Sequence, residues 1–576
     1  MARSQLLLRL RRLMRLALLA ERNGLPTEVV LDRREWLQGA AGLLALGTLP
    51  LILPGCGGQG GSDATDSGPV GGGDGAGGGG GSGPVRVGIV GAGLAGLHCA
   101  YRLQEAGVKA RVFEAWNRAG GRMFSLKDAY PEGRVAELGG ELIDTGHLTM
   151  HHLAEELVIK LDDLGVEPAG IVTESYYIGG RFLSDREIVD AFRPVAGRMV
   201  SALGTAELNE SEFARIDAMS LHDFLVFECR AVSPLLDLLE VAYTTEYGLD
   251  VDQQSPFNLL YLIDAVMPDP FRLIGGSDER FHAHDGSQTF TDKLLEALDV
   301  GPLFEHRLVA LRREADGRVT LVFDQAGTTV EETFERVVLT LPFTQLRKVE
   351  GLESVVGAEK AEVVREVGYG TNAKLIMGFR SPLWRDMYSR DGSLCSSTGF
   401  QNTWESSRGQ AGMTGLLTNF VGGQRGLDLG MGTAEEQAVS LVTDELDVLL
   451  PGLLAKYMPM SAVRMHWPTS PNFEGSYLCY RPGQWAFYGR EGVAVDNVHF
   501  AGEHTSKEAQ GYMEGAAETG AKAALEVLDA LGIAPGQGLV SLLGKLESGL
   551  RTATSRKARI ARMARQLSKL RSPPRR

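Results

Sequence analysis

Cysteine is scarce in this chain. Five occur in 576 residues, at Cys56, Cys99, Cys229, Cys395 and Cys479, and their wide spacing suits neither a zinc ribbon nor a disulfide-stapled scaffold. The eleven histidines form one close group, His147, His151 and His152, with no cysteine beside it and no H-E-x-x-H pattern, so no metal centre is expected. Long apolar runs are missing too. The best of them, about Ala40 to Leu53, is too short and too glycine-rich to span a bilayer. Positive charge is sparse in the body of the chain: residues 86–543 carry 39 basic and 65 acidic side chains. That balance argues against nucleic acid as a partner and favours cationic ligands. The rest is ordinary for a globular protein, 44% apolar and 23% charged, and long enough for two or more domains.

Glycine, in contrast, is plentiful, and its placement carries information. RVGIVGAGLAGLHCAYRLQEAGVKARVFEA, Arg86 to Ala115, opens on a buried strand at Val87, Ile89 and Val90, turns through Gly91, Gly93 and Gly96, and continues as a helix with Leu97, Tyr101 and Leu103. This is G-x-G-x-x-G in strand–turn–helix context. Glycines there let backbone approach a pyrophosphate at the helix N-terminus, and Glu114, at the end of a second strand, stands where an acid binds ribose. A dinucleotide site is expected, and this unit alone does not separate NAD from FAD. WNRAGGRMFS adds Arg118, Gly120, Gly121 and Arg122, a glycine turn with basic side chains suited to clamping a long dinucleotide. VAELGGELID adds Gly139 and Gly140, where backbone can come close to a flat ring. VDNVHFAGEHTSKEAQGYMEGAAETGAKAA reads as a strand at Val498 to Ala501, then Glu503, then a helix from Tyr512 whose small residues permit close packing and whose start near Gly511 favours negative charge.

The chain ends have another character. Arg33 and Arg34, the apolar run and Cys56 after LPG fit an export signal of twin-arginine type over residues 1–55, with Cys56 a candidate for lipidation and Pro54 a departure from the usual cleavage pattern. Residues 56–84 are a glycine-rich tether. Export to the periplasm or cell envelope, with a lipid anchor at Cys56, is therefore expected. Residues 538–576 form a basic amphipathic tail, Leu539, Leu542, Leu543, Leu546 and Leu550 recurring at helical spacing, suited either to an anionic membrane or to the acidic body. The equally basic LLLRLRRLMRLALLA near the N-terminus has no account at this level.

E-A-x-x-R-x-G-G-R following G-x-G-x-x-G, LPF at Leu341 to Phe343, and AGEHT with GYMEGA together resemble the flavin-dependent amine oxidases, the monoamine, polyamine and L-amino acid oxidase group, over about Val85 to Asp529. The resemblance implies FAD. Carried over by position, Gly91, Gly93, Ala95 and Gly96 would line the pyrophosphate, and Glu114 with Ala115 would meet the adenosine ribose. Arg118, Arg122, Gly139 and Gly140 would be further cofactor contacts, Val309 would present backbone to the adenine, and Glu503 would bind the ribityl and pyrophosphate region. Gly511, Met513 and Ala516 would border the isoalloxazine. Lys374, in GYGTNAKLIMGF, would stand beside flavin N5 through a bridging water, and Tyr512 would be one aromatic wall of the amine channel. Tyr477, Tyr480 and Trp485 compete for the second wall. Tyr477 takes the position where monoamine oxidases attach flavin through cysteine, and Cys479 lies two residues off, so non-covalent FAD is expected.

The fold class implied is α/β: a Rossmann-like FAD-binding domain from residues 85–150, 281–345 and 465–535, interleaved with an α+β substrate domain from residues 151–280 and 346–464. The activity implied is oxidative deamination of a primary amine or polyamine, with O2 reduced to hydrogen peroxide. The rivals are an L-amino acid oxidase, a flavin desaturase or dehydrogenase, and a tethered flavoprotein without catalysis. In L-amino acid oxidases the stretch after the same Leu-Gly supplies an arginine for the substrate carboxylate. Here that position is Leu142, flanked by Glu141 and Asp144, which favours amines unless an arginine from the substrate domain, such as Arg181, replaces it.

Overall fold

The apolar run VGIV lies at the heart of a parallel sheet. In the computed structural model, which describes residues 5–22, 26, 27, 31, 85–165, 168, 170–263 and 278–550, strand Val87–Val90 is buried along its whole length. It pairs in parallel with Ala110–Phe113 on one side and Arg336–Leu339 on the other, and Val498–Phe500 completes the sheet. Parallel strands covered on both faces favour continuous apolar sequence, which VGIV supplies at the centre, while Ala110–Phe113 and Arg336–Leu339 each open on a less buried end. Helix Leu94–Glu105 leaves the first strand at the glycine turn, and helix Met513–Leu531 packs against it. A Cβ on Gly520 would lie 2.4 Å from the Ala95 carbonyl oxygen, so the run of small residues is what lets these helices touch.

The second layer is a seven-stranded sheet, in order Val463–His466, Ala373–Phe379, Gly415–Val421, Asn402–Glu405, Leu394–Ser396, Ser175–Ile178 and Arg181–Leu183. All neighbours are antiparallel except Leu394–Ser396 with Ser175–Ile178. Helix Asp185–Leu208, opened by a capping box between Ser184 and Glu187, borders this layer. A small antiparallel sheet, Leu142–Ile143, Phe281–Ala283 and Leu161–Asp163, draws residues 141–144 and 278–283 together between the layers. The α/β class with an interleaved α+β part is the fold observed.

Helix Gln5–Arg22 packs along Asp185–Leu208, burying Leu10, Leu13, Met14, Ala17 and Ala20. Its leucines therefore belong to the core of the substrate domain. Helix Gln537–Leu550 spends Leu539 and Leu542 against the nucleotide domain, and Lys545 binds Glu155 at 2.6 Å. The arginine pair, Cys56, the glycine-rich tether and the tail beyond 550 lie outside the described residues.

Candidate active site

A cleft of about 350 Å³ opens at the ends of the parallel strands. Gly91, Gly93, Ala95, Glu114, Ala115, Arg122, Gly140, Val309, Glu503, Gly511, Tyr512, Met513 and Ala516 all line it. Helices Leu94–Glu105 and Met513–Leu531 point their N-termini into it, an arrangement that favours anionic groups. The turn is built without side chains for a steric reason. Gly91 has φ +107°, and a Cβ there would sit 2.3 Å from Thr340 Oγ1; a Cβ on Gly96 would sit 1.9 Å from the Gly91 carbonyl oxygen. The Glu114 carboxylate accepts from the Ala92 and Trp116 backbone N–H groups, both at 2.8 Å, and burial pushes its pKa up against those bonds. Val309 reaches the cleft because the ladder between Arg307–Arg313 and Val319–Gln325 slips at that residue. The Arg122 guanidinium binds Glu503 at 2.9 Å, and Glu503 also accepts from Gly511 N–H at 3.0 Å, so one carboxylate ties together three of the segments that resemble the family motif. A backbone cradle, an acid fixed for a ribose and two helix N-termini fit a dinucleotide such as FAD.

Other residues singled out in the sequence stand back from the cleft. Arg118 lies over the rings of Trp116 and Phe124 and donates to the carbonyls of Ala119 and Gly121. Gly96 and Gly139 give close backbone packing, a Cβ on Gly139 meeting the Arg122 carbonyl oxygen at 1.8 Å. Tyr477, Tyr480 and Trp485 are buried and line neither this cleft nor the cavity described next. Tyr477 donates to the Glu246 carbonyl, Tyr480 to Glu491 at 2.5 Å and the Trp485 indole to Asn258 at 3.2 Å. Sequence reasoning missed Thr340, Arg307, Lys348, Asn472 and Phe473 on the cleft wall; Leu341 and Pro342 of the LPF motif were the nearest signal.

Lys374 is the second residue of strand Ala373–Phe379, a segment buried at every residue. Its ammonium donates to the carbonyls of Glu137 and Gly139, each at 3.0 Å, and to Glu141 Oε2 at 2.8 Å. The Trp404 ring lies 5.2 Å from Nζ, and its indole N–H donates to the other Glu141 oxygen at 3.1 Å. Burial pushes the Glu141 carboxyl up, but the Lys374 charge and these hydrogen bonds outweigh it and hold it below the ordinary range. The strand thus points a buried, anchored lysine at the Gly139–Gly140 backbone, whose second residue lines the cleft.

Beyond Gly140 a second cavity, about 50 Å³, begins at Glu141 and Leu142. Glu174, Glu279, His282, Asp391, Trp404, Glu405 and Arg408 also line it. Glu405 is engaged by Arg385 and by the Trp384 indole. Arg181 is not among the lining residues; it is exposed and paired with Glu187 at 2.6 Å. The two cavities are also joined through Tyr512. Its ring packs edge-on 5.1 Å from His147, His147 Nε2 lies 3.2 Å from Asp144 Oδ2, and Asp144 Oδ1 accepts from the Glu279 backbone at 2.7 Å.

The family model described as flavin containing amine oxidoreductase matches residues 94–528. The chain belongs to that family. An L-amino-acid oxidase from Mus musculus is 23% identical over 478 residues, covering 77% of this chain and 71% of that protein. The flavin-containing amine oxidase B of Homo sapiens is 23% identical over 475 residues, covering 78% and 86%. Among solved structures, cyclohexylamine oxidase from Brevibacterium oxydans superposes with TM-score 0.66 at 20% identity over 78% of this chain and 99% of its own. Putrescine oxidase bound to putrescine gives 0.63 at 18%, over 77% and 99%. Family membership implies a flavin cofactor and chemistry on amines or amino acids.

Proposed function

We propose that this protein is an FAD-dependent oxidase of primary amines. The observation carrying the reading is the acid-rich wall of the cavity beyond Gly140: among the described residues Glu141, Glu174, Glu279, Asp391 and Glu405 line it with one arginine, Arg408, and one histidine, His282, while Glu141 and Glu405 are already paired with Lys374 and Arg385. Such a wall repels a substrate carboxylate and attracts ammonium. FAD bound there would supply hydride acceptance from the carbon bearing a neutral amine and electron transfer on to O2, the chemistry that yields an imine for hydrolysis and hydrogen peroxide. The protein's part is positioning and exclusion of water. Lys374, held by two carbonyls and Glu141, offers a fixed donor at the buried side of the Gly139–Gly140 segment, and Tyr512 walls the substrate side. Non-covalent attachment is supported by Cys479, which is fully buried against Asn258 and lines neither cavity.

Arg408 is the specific observation favouring the second reading, an L-amino acid oxidase, and the mouse relative bears that name. The deciding experiment pairs each amine with its α-carboxylated counterpart, cadaverine against lysine for instance, and measures hydrogen peroxide release by the FAD-loaded protein. Higher kcat/KM for the amine is expected. A consistent advantage for the carboxylated partner would make Arg408 the substrate anchor and the amino acid reading the better one.

A further inference from the structure

Two carboxylate oxygens in the second cavity have no hydrogen-bond partner among the described residues: Glu279 Oε1 and Asp391 Oδ2. Both residues are almost wholly shielded, at 2% and 1% exposure, and both line the cavity. Their remaining bonds fix them in place. Asp391 Oδ1 accepts from the Ser393 backbone at 2.9 Å and from the Glu174 backbone at 3.3 Å, while the Glu279 backbone is held by Asp144. Glu174, between them in the cavity wall, accepts from Tyr176 at 2.8 Å. A buried acceptor left unmatched is costly, and two residues that each carry one line the same small cavity, which calls for a donor from beyond the described residues. Among the described residues no group of three or more His, Cys, Asp or Glu is arranged to hold a metal ion, which turns the choice to an organic cation. The volume holds only a few water-sized groups, an aminoalkyl end and not a ring.

Resting on the amine oxidase reading above, we propose that Glu279 and Asp391 form a second ammonium subsite that takes the far end of an α,ω-diamine or polyamine whose near amine lies in the cleft beside Gly140. The Lys374–Glu141 pair stands between the two ends. Because Glu141 is already neutralised by Lys374, the unmatched acids behind it make the difference between a diamine and a monoamine. The subsite is also tied to the cleft wall through Asp144, His147 and Tyr512.

Binding there is coupled to a proton. Burial, with Asp144, Glu246, Glu174 and Glu141 nearby, lifts the Glu279 carboxyl well above the ordinary range, while His282 and Arg408 face the same cavity. A carboxyl that is neutral when alone and ionised beside an ammonium releases a proton as the ligand enters, so affinity for the second charge rises with pH. The near amine must also be neutral to react, and that requirement is common to monoamines. The ratio of diamine to monoamine therefore isolates the subsite.

Three four-carbon probes test it with FAD-loaded enzyme: butylamine, 1,4-diaminobutane and 4-aminobutanoate, which end in methyl, ammonium and carboxylate. The diamine is expected to show at least a tenfold higher kcat/KM than butylamine, with a ratio that grows with pH. Glu279→Gln and, separately, Asp391→Asn should each cut that ratio by about tenfold, and Glu279→Gln should flatten its pH dependence. A ratio near one in the unmodified enzyme, or one that survives both substitutions, overturns the subsite; preference for 4-aminobutanoate overturns its sign. Thermal denaturation with the same probes separates binding from turnover. A larger Tm increase with the diamine than with butylamine supports the subsite even if no amine is oxidised, an outcome that would sink only the oxidase reading. Equal Tm shifts count against the subsite.

Discussion

The cleft and the cavity beyond it are made of different material. The cleft is walled by backbone: glycines at 91, 93, 120, 121, 140, 502 and 511, with two helix N-termini. The cavity is walled by charged side chains from separate segments, Glu141, Glu174, Glu279, Asp391 and Arg408 among them. A backbone site tolerates little change where an added atom would meet the turn itself, as at Gly96, whereas a side-chain site is defined by charge and can be retuned without moving the fold. The first suits a cofactor common to a family, and in the reading proposed above the second takes the substrate.

The largest effect expected is at Gly96. Alanine there would put a methyl 1.9 Å from the Gly91 carbonyl oxygen, which belongs to the turn itself. Gly96→Ala should weaken flavin binding at least about 100-fold, equivalent to ~2.7 kcal/mol, and yield colourless protein after desalting. Full flavin content by absorbance would show that the turn accommodates side chains, removing the distinction between the two regions.

The next effect lies on the boundary between them. Lys374→Met keeps bulk and loses the donors to Glu137, Gly139 and Glu141. FAD should stay bound while flavin reduction or reoxidation slows more than about tenfold, ~1.4 kcal/mol in barrier, measured by anaerobic stopped flow followed by oxygen mixing. Unchanged half-reactions would reduce the lysine to a structural tether for Glu141.

This division also explains what the sequence made legible. The first strand could be read because VGIV is an apolar run that ends at a glycine turn, and most of the cleft because glycine spacing is local. Glu141 was found only through its place after LGG. Glu174, Glu279, Asp391, Trp404 and Arg408 were not found, since each is an ordinary residue in a strand or in a loop beside one, and only the seven-stranded and three-stranded sheets bring them to one point. Arg181 offered the same local sign as Arg408, an arginine in the substrate domain, yet its strand carries it to the surface and Glu187. The terminal leucines left the choice open for a related reason: amphipathic spacing does not say whether the apolar face meets a membrane or, as helix Gln5–Arg22 does, the protein's own body.

The smallest effect expected separates two buried acids that share one cause. Glu279 and Glu491 are both lifted by burial, Glu491 to about 7, but Glu279 faces the cavity whereas Glu491 is sealed behind the cleft, accepting from Tyr480, which in turn accepts from Gln510 beside Gly511. A carboxyl whose folded pKa exceeds its unfolded one contributes stability fully below the unfolded value, and that contribution is lost as pH rises through the folded value. For Glu491 the window runs from about 4.5 to about 7. Lys360, lowered to about 7 by burial, acts above that window and does not cancel it. Glutamine cannot ionise, so Glu491→Gln should have its least favourable effect on Tm near pH 4.5 and gain on the unmodified protein by a few degrees toward pH 7.5. The diamine to monoamine ratio should show no such pH shift on this substitution, because Glu491 does not line the cavity. A parallel Tm profile for the two proteins would mean that Glu491 ionises as an exposed acid does. A change in the ratio would mean that the sealed network behind the cleft and the open cavity beyond it titrate as one system, and the two regions would then no longer be separable by what they are made of.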